Sequence, residues 1–246
     1  MANVLVIAPH PDDEVLGCGG TIRRMVVAGD QVTVAIATKG TPLFPASQVR
    51  QVRAEARQAN AALGSKLLFL DLPVTRLHLV PKHRLNRVFG SLIRKIKPDT
   101  VFVPFPGDRH EDHRQVFDTA MVAMRPDGRR HRVLRIACYE TVSETHWSAP
   151  GLEPGFEPNF HVDISNTLAN KLAAMRLYAS QLAEGIPARS VEAIEALARF
   201  RGSVVAMPAA EAFVLIRDLW PPTARATTRQ PKRCISRHKR ETSGGF

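Results

Sequence analysis

From Asn3 to Glu140 the chain alternates short aliphatic runs with longer amphipathic ones. That alternation restricts the fold more than any other feature of the sequence. "NVLVIA" is followed by a helical stretch from Glu14 to about Ala28, and "QVTVAIAT" by a helix over Ser47 to Leu63 with Gly64 as its stop. "KLLFLDL" precedes a helix over Lys82 to Lys97 closed by Pro98. "TVFVPF" precedes one over His113 to Met124, and "RVLRIACYE" reads as a fifth strand. Strands separated by helices need crossover connections, which place them parallel with helices on both faces. The expectation is an α/β chain, a Rossmann-like three-layer α/β/α fold with a mainly parallel sheet. Beyond it lie "NFHVDIS", helices over Asn166 to Glu184 and Ser190 to Arg201, and a final strand-like "AEAFVLIR".

One core accounts for 1–220. The last 26 residues differ: they hold seven of the 34 Lys and Arg residues and one of the 23 acids, hence +6 of the net charge of +11. With little apolar content they cannot offset their ordering entropy, so 221–246 reads as a basic, solvated, disordered tail beside a single domain. Binding of nucleic acid or an anionic surface by that tail is the lesser reading. The cysteines Cys18, Cys138 and Cys234 are odd in number and far apart, which points to a reducing, cytoplasmic compartment. No secretory leader and no run of ~20 apolar residues is recognisable.

Two polar clusters interrupt this pattern. "HPDDE" follows the first strand, and "PGDRHEDHRQ" follows the fourth. In doubly wound sheets, strands one and four lie side by side where the strand order reverses, and ligands bind at their carboxyl ends. The clusters should therefore meet. Together they offer His10, Asp12, Asp13, Glu14, Asp108, His110, Glu111, Asp112 and His113. Three adjacent carboxylates at the end of a buried strand repel one another unless a cation or solvent neutralises them. Imidazole with carboxylate suits zinc or another divalent first-row metal, which can activate a water for hydrolysis. A nearby carboxylate could take the proton of that water, and a histidine could stabilise the oxyanion. Helix capping would account for single acids, Glu14 among them, but not for His10 or the second cluster. "GCGG" lacks the GxGxxG spacing and reads as tight packing of the first helix. Cys18 reads as a small buried thiol, and His78, His83, His131, His146 and His161 as surface or loop residues.

"PHPDDE" with a glycine-rich helix start, and "HEDH" farther on, resembles the PIG-L/LmbE superfamily of zinc-dependent N-acetylglucosaminyl deacetylases. "EARQANAALG", "VDIS", "KLAAMRLYASQ" and "AEAF" extend the resemblance to about Trp220. It implies that His10, Asp13 and His113 bind Zn2+, that Asp12 is the general base, and that His110 stabilises the oxyanion or acts as acid. Asp112 would orient His110 and raise its pKa. The chain departs from the family at Val52, where an arginine commonly holds the sugar, with Arg53 and Arg50 nearby. It departs also at Asp108 and Arg109, and at Tyr178 in place of a histidine.

The resulting expectation is a metal-dependent N-deacetylase acting on the acetamide of a small N-acetylated amino sugar or glycoconjugate. The alternatives are an amide hydrolase for a non-sugar or thiol-conjugate substrate, or an inactive fold binding polyanions through its tail.

Overall fold

The computed structural model describes residues 1–126, 131–149, 151–182 and 187–220. The tail assigned to 221–246, Cys234 and the far end of the Asn166–Glu184 helix lie outside them. Seven strands and six α-helices follow in the order β1 (Asn3–Ala8), α1 (Asp13–Val27), β2 (Gln31–Thr38), α2 (Ala46–Leu63), β3 (Lys66–Leu72), α3 (Lys82–Ile96), β4 (Thr100–Pro104), α4 (Glu111–Ala123), β5 (Arg135–Tyr139), β6 (Phe160–Asp163), α5 (Leu168–Arg176), α6 (Val191–Ser203) and β7 (Ala210–Asp218). The strands form one sheet ordered β3-β2-β1-β4-β5-β7-β6. Pairings from β3 through β5 are parallel, whereas β7 runs antiparallel to both β5 and β6. The α/β fold with a mainly parallel sheet is thus present, and β7 is the strand that runs against the rest.

Strand β1 shows why three layers form. Val4, Val6 and Ala8 pack with α1, α2, α5 and α6 on one face, while Leu5 and Ile7 pack with α3 and α4 on the other. A strand covered on both faces needs an unbroken apolar run rather than alternation, and "VLVIA" supplies it. Helix α1 lies close to the sheet because Gly17 leaves room: a Cβ there would sit 2.2 Å from the Tyr139 ring. The Tyr139 hydroxyl crosses beneath to donate to the Ile7 carbonyl at 2.9 Å. The buried Lys171 ammonium binds Glu211 at 2.6 Å and the Leu16 carbonyl at 2.7 Å, while Glu211 accepts from the Gly20 and Thr21 amides. This network ties α5 and β7 to the middle of α1.

The sequence-based boundaries differ mainly late in the chain. Helix α4 starts two residues earlier than expected, at Glu111. Helix α5 stops at Arg176, so Tyr178 falls in the turn after it. Cys18 and Cys138 are buried free thiols. No described helix is long and apolar enough to cross a membrane.

Candidate metal centre and active site

Strands β1 and β4 are neighbours in the sheet, and the loops leaving them carry both polar clusters into one crevice. The rings of His10, His110 and His113 stand with centroids 4.4, 5.3 and 5.5 Å apart.

Asp13, at the start of α1, accepts the His10 backbone N–H through Oδ2 at 2.8 Å. The same oxygen lies 3.4 Å from His10 Nδ1 and 3.3 Å from His113 Nε2. Each histidine is backed by another carboxylate. Asp112 Oδ2 is 3.1 Å from His10 Nε2, and Asp108 Oδ2 is 2.7 Å from His113 Nδ1. These carboxylates take the ring N–H groups, so in the neutral rings the remaining lone pairs, on His10 Nδ1 and His113 Nε2, face the Asp13 oxygen. Two lone pairs and an anionic oxygen at such distances repel unless a proton or a metal ion lies among them. His113 Nε2 is buried without a hydrogen-bond partner. The donor set is one that zinc and similar divalent ions accept, and these three residues fit such an ion.

A second trio, His10, His110 and Asp112, is also close enough to share an ion. Two of its donor atoms are already engaged. Asp112 Oδ2 accepts the Thr75 amide at 2.7 Å as well as His10, and His110 Nδ1 accepts the Asp112 amide at 3.1 Å.

The electrostatics follow from this crowding. Burial alone would favour neutral His113, but Asp13 and Asp108 outweigh it and raise the pKa to about 10 when no metal is bound. Burial works against the Asp13 carboxylate, yet His113 and His10 hold it well below the usual range. Asp12 moves the other way: burial first, then the charge of Asp13, push it to about 8, although Arg189 opposes the shift. The Arg189 guanidinium lies 3.3 Å from Asp12 Oδ2, and its Nε donates to Ser143 Oγ at 3.0 Å. Asp12 Oδ2 itself has no hydrogen-bond partner, so the contact with Arg189 is an ion pair that leaves a lone pair free.

Asp12 also has an unusual backbone, with φ of 104° and ψ of −29°. Such positive φ is costly for a residue with a side chain and is found where the surroundings enforce it. The Asp12 carbonyl accepts the Val15 and Leu16 amides, both at 2.9 Å, and its N–H donates to Glu14 Oε2 at 3.2 Å. Glu14 Oε1 is held by the Tyr178 hydroxyl at 2.6 Å and the Asn60 amide at 2.8 Å. Burial raises the Glu14 pKa to about 7 despite these bonds. Glu14 therefore braces the turn that presents Asp12.

His110 requires a correction. Its pKa was expected to rise through Asp112, and that carboxylate does pull it upward, but it bonds to His10 and not to His110, and its pull is outweighed. Burial, then the neighbouring His10 and His113, lower His110 to about 4. As the N-cap of α4 it accepts an amide on Nδ1, so the neutral ring carries its proton on Nε2. His110 lines a cavity of about 460 Å³ together with His10 and Asp12.

All six residues assigned from sequence come together. Asp108 was noticed only as one acid of the second cluster, and its position five residues before His113, ahead of a helix start, was the signal for its role. Nothing in the sequence marked Arg189 or Thr75. Val52 lines the cavity, while Arg53 turns away to pair with Asp71. Among the other histidines, His131 meets the Pro98 carbonyl and His146 pairs with Glu140.

Residues 5–124 match the family model PIG-L, GlcNAc-PI de-N-acetylase. The chain is 29% identical over 145 residues to the uncharacterized deacetylase YaiS of Escherichia coli (strain K12), covering 57% of this chain and 74% of that protein. The crystal structure of the conserved protein TT1542 from Thermus thermophilus superposes with a TM-score of 0.73 at 32% identity, over 92% of this chain and all of that one. The N,N'-diacetylchitobiose deacetylase of Pyrococcus horikoshii, solved with its inhibitor MPG, gives a TM-score of 0.71 at 26% identity, over 87% and 84%.

Proposed function

The chain belongs to the PIG-L/LmbE-like deacetylase superfamily, and from that premise we propose that it is a metal-dependent N-deacetylase removing acetate from a small N-acetylated amino sugar or glycoconjugate. One observation carries this reading: His10 Nδ1 and His113 Nε2 converge on Asp13 Oδ2 at 3.4 and 3.3 Å, close enough to share one ion, beside the buried Asp12 carboxylate with its raised pKa. His10, Asp13 and His113 would hold the ion, Zn2+ by preference. When bound, a divalent cation supplies Lewis acidity toward water and the amide oxygen.

The remaining work falls to the chain. Asp12, with a free lone pair and a pKa raised by burial, takes a proton from the attacking water. As water oxygen bonds to the amide carbon, negative charge grows on the carbonyl oxygen. Neutral His110 donates its Nε2–H to that oxygen, a task that needs no protonated imidazole. When the C–N bond breaks, Asp12 returns its proton to the leaving nitrogen, and acetate and the free amine result. Asp112 and Asp108 hold His10 and His113 in their tautomers. The N,N'-diacetylchitobiose deacetylase among the similar structures supports an acetamido sugar as the substrate class. The test is acetate release by the metal-loaded chain across a panel of N-acetylated amino sugars. Release from at least one member is expected, and a panel without release overturns the reading.

A further inference from the structure

The cavity beside the catalytic cluster has an apolar wall where a sugar site would be expected to present hydrogen-bonding groups. Val49, Val52 and Val74 line it, and Leu43 and Phe44 form its lip. Leu43 is 58% and Phe44 47% exposed, so two adjacent large apolar side chains face water at the mouth of the catalytic cavity. The lip is a built feature. Gly40 turns the chain with φ of +89°, and a Cβ there would come within 3.2 Å of Val49 Cγ2. The Phe44 amide bonds back to the Gly40 carbonyl at 3.0 Å, and the Val74 amide reaches the Thr41 carbonyl at 3.1 Å.

Lys39, Gln48 and Thr75 also line the cavity, while several of its other polar groups are engaged by neighbouring side chains. Glu55 takes the Gln51 amide at 3.2 Å and the Ser180 hydroxyl at 2.5 Å. Arg189 is held by Asp12 and Ser143. Arg53, one residue past Val52, lies over the Phe69 ring at 3.8 Å.

We propose that this cavity selects amino-sugar amides bearing an alkyl or aryl substituent, which packs between the Leu43–Phe44 lip and the valine wall. The proposal rests on the deacetylase reading for the identity of the scissile bond, and on the continuity of the apolar wall with His10, Asp12 and His110 in one cavity for its occupant. The substituent could extend from the glycosidic oxygen or from the acyl carbon. The recognition chemistry is the same in both cases.

The experiment compares kcat/KM for two series, O-alkyl N-acetylglucosaminides from methyl to hexyl and N-acyl glucosamines from acetyl to hexanoyl. Burying a methylene is worth roughly a two- to fourfold gain. At least one series should therefore rise by about tenfold or more from its shortest to its longest member, and the series that rises identifies the direction of the substituent. In Phe44→Ser and Val52→Asn that ratio should shrink to within about twofold. A flat or falling response in both series, or a rise that both variants retain, overturns the proposal. Calorimetric titration of metal-stripped chain with the methyl and hexyl glycosides separates it from the deacetylase reading. Tighter binding of the hexyl compound by the stripped chain, with no turnover of either glycoside by the metal-loaded chain, supports the cavity and refutes the reaction. Hydrolysis of both glycosides by the metal-loaded chain, with equal affinity in the stripped one, does the reverse.

Discussion

The division of labour between neighbouring side chains is set by what lies behind each of them. Asp12 and Asp13 are adjacent acids at the same helix start, yet Asp13 faces two imidazoles that hold it ionised, whereas burial and the Asp13 charge push Asp12 to about 8 against the pull of the Arg189 guanidinium. His110 lies three residues before His113, but its ring accepts an amide at the positive end of α4, where a further positive charge is disfavoured. A cation on His10, Asp13 and His113 would repel a proton on His110 in the same sense. His110 therefore stays neutral through the working range and loses no proton on the alkaline side. His110→Ala should lower kcat by about 10²–10³, the scale of one lost oxyanion donor, with metal content unchanged. The alkaline side of the pH–rate profile should keep its shape. Elemental analysis and a profile of the variant check this; loss of metal, or loss of an alkaline limb, would contradict it.

At the scale of elements, the site is a meeting of two strand ends and the two helices that follow them. This much was legible in the sequence, because an uninterrupted apolar strand followed by clustered acids and imidazoles is costly unless those groups converge on something. The partners behind the ligands were less legible. Asp112 sits next to His113 and near His110 in sequence, yet its carboxylate crosses to His10, 102 positions away. Only the packing of β1 against β4 determines that choice. Arg189 reaches Asp12 from the segment before α6, and no spacing rule connects the two.

The juxtaposition of β1 and β4 also couples metal to pH. When no metal is bound, His113 titrates near 10 in the folded chain against 6.5 for an ordinary histidine. A histidine with a raised pKa contributes stability that is complete below 6.5 and lost as pH climbs towards 10. Zinc must displace that proton, so its binding strengthens as pH rises. The zinc-induced gain in Tm should thus grow from pH 6 to pH 8, reaching roughly 5–10 °C at a hundredfold excess over Kd. Differential scanning at the two pH values measures it. A gain that shrinks with pH would place the ion elsewhere.

For the whole molecule, the alternation of strands and helices was enough to read three layers and the adjacency of β1 and β4. The reversal of β7 and its insertion between β5 and β6 were not readable, since "AEAFVLIR" is apolar whichever way it runs. Among the described residues the seven strands fall between Asn3 and Asp218, and we propose 1–220 as the folding unit. Deleting 221–246 should leave Tm within about 2 °C and acetate release unchanged. A large drop in Tm would show that the basic segment contributes to the core. The central claim is that one divalent ion at His10, Asp13 and His113 makes the chain a deacetylase. Its most direct test is a titration of chelator-stripped protein with zinc, following acetate released from an N-acetylated amino sugar that the loaded chain hydrolyses. The account predicts no release at zero zinc and a linear rise that breaks at one equivalent per chain, abolished in His113→Ala. Full release by the stripped protein, or an unchanged titration in His113→Ala, would contradict it.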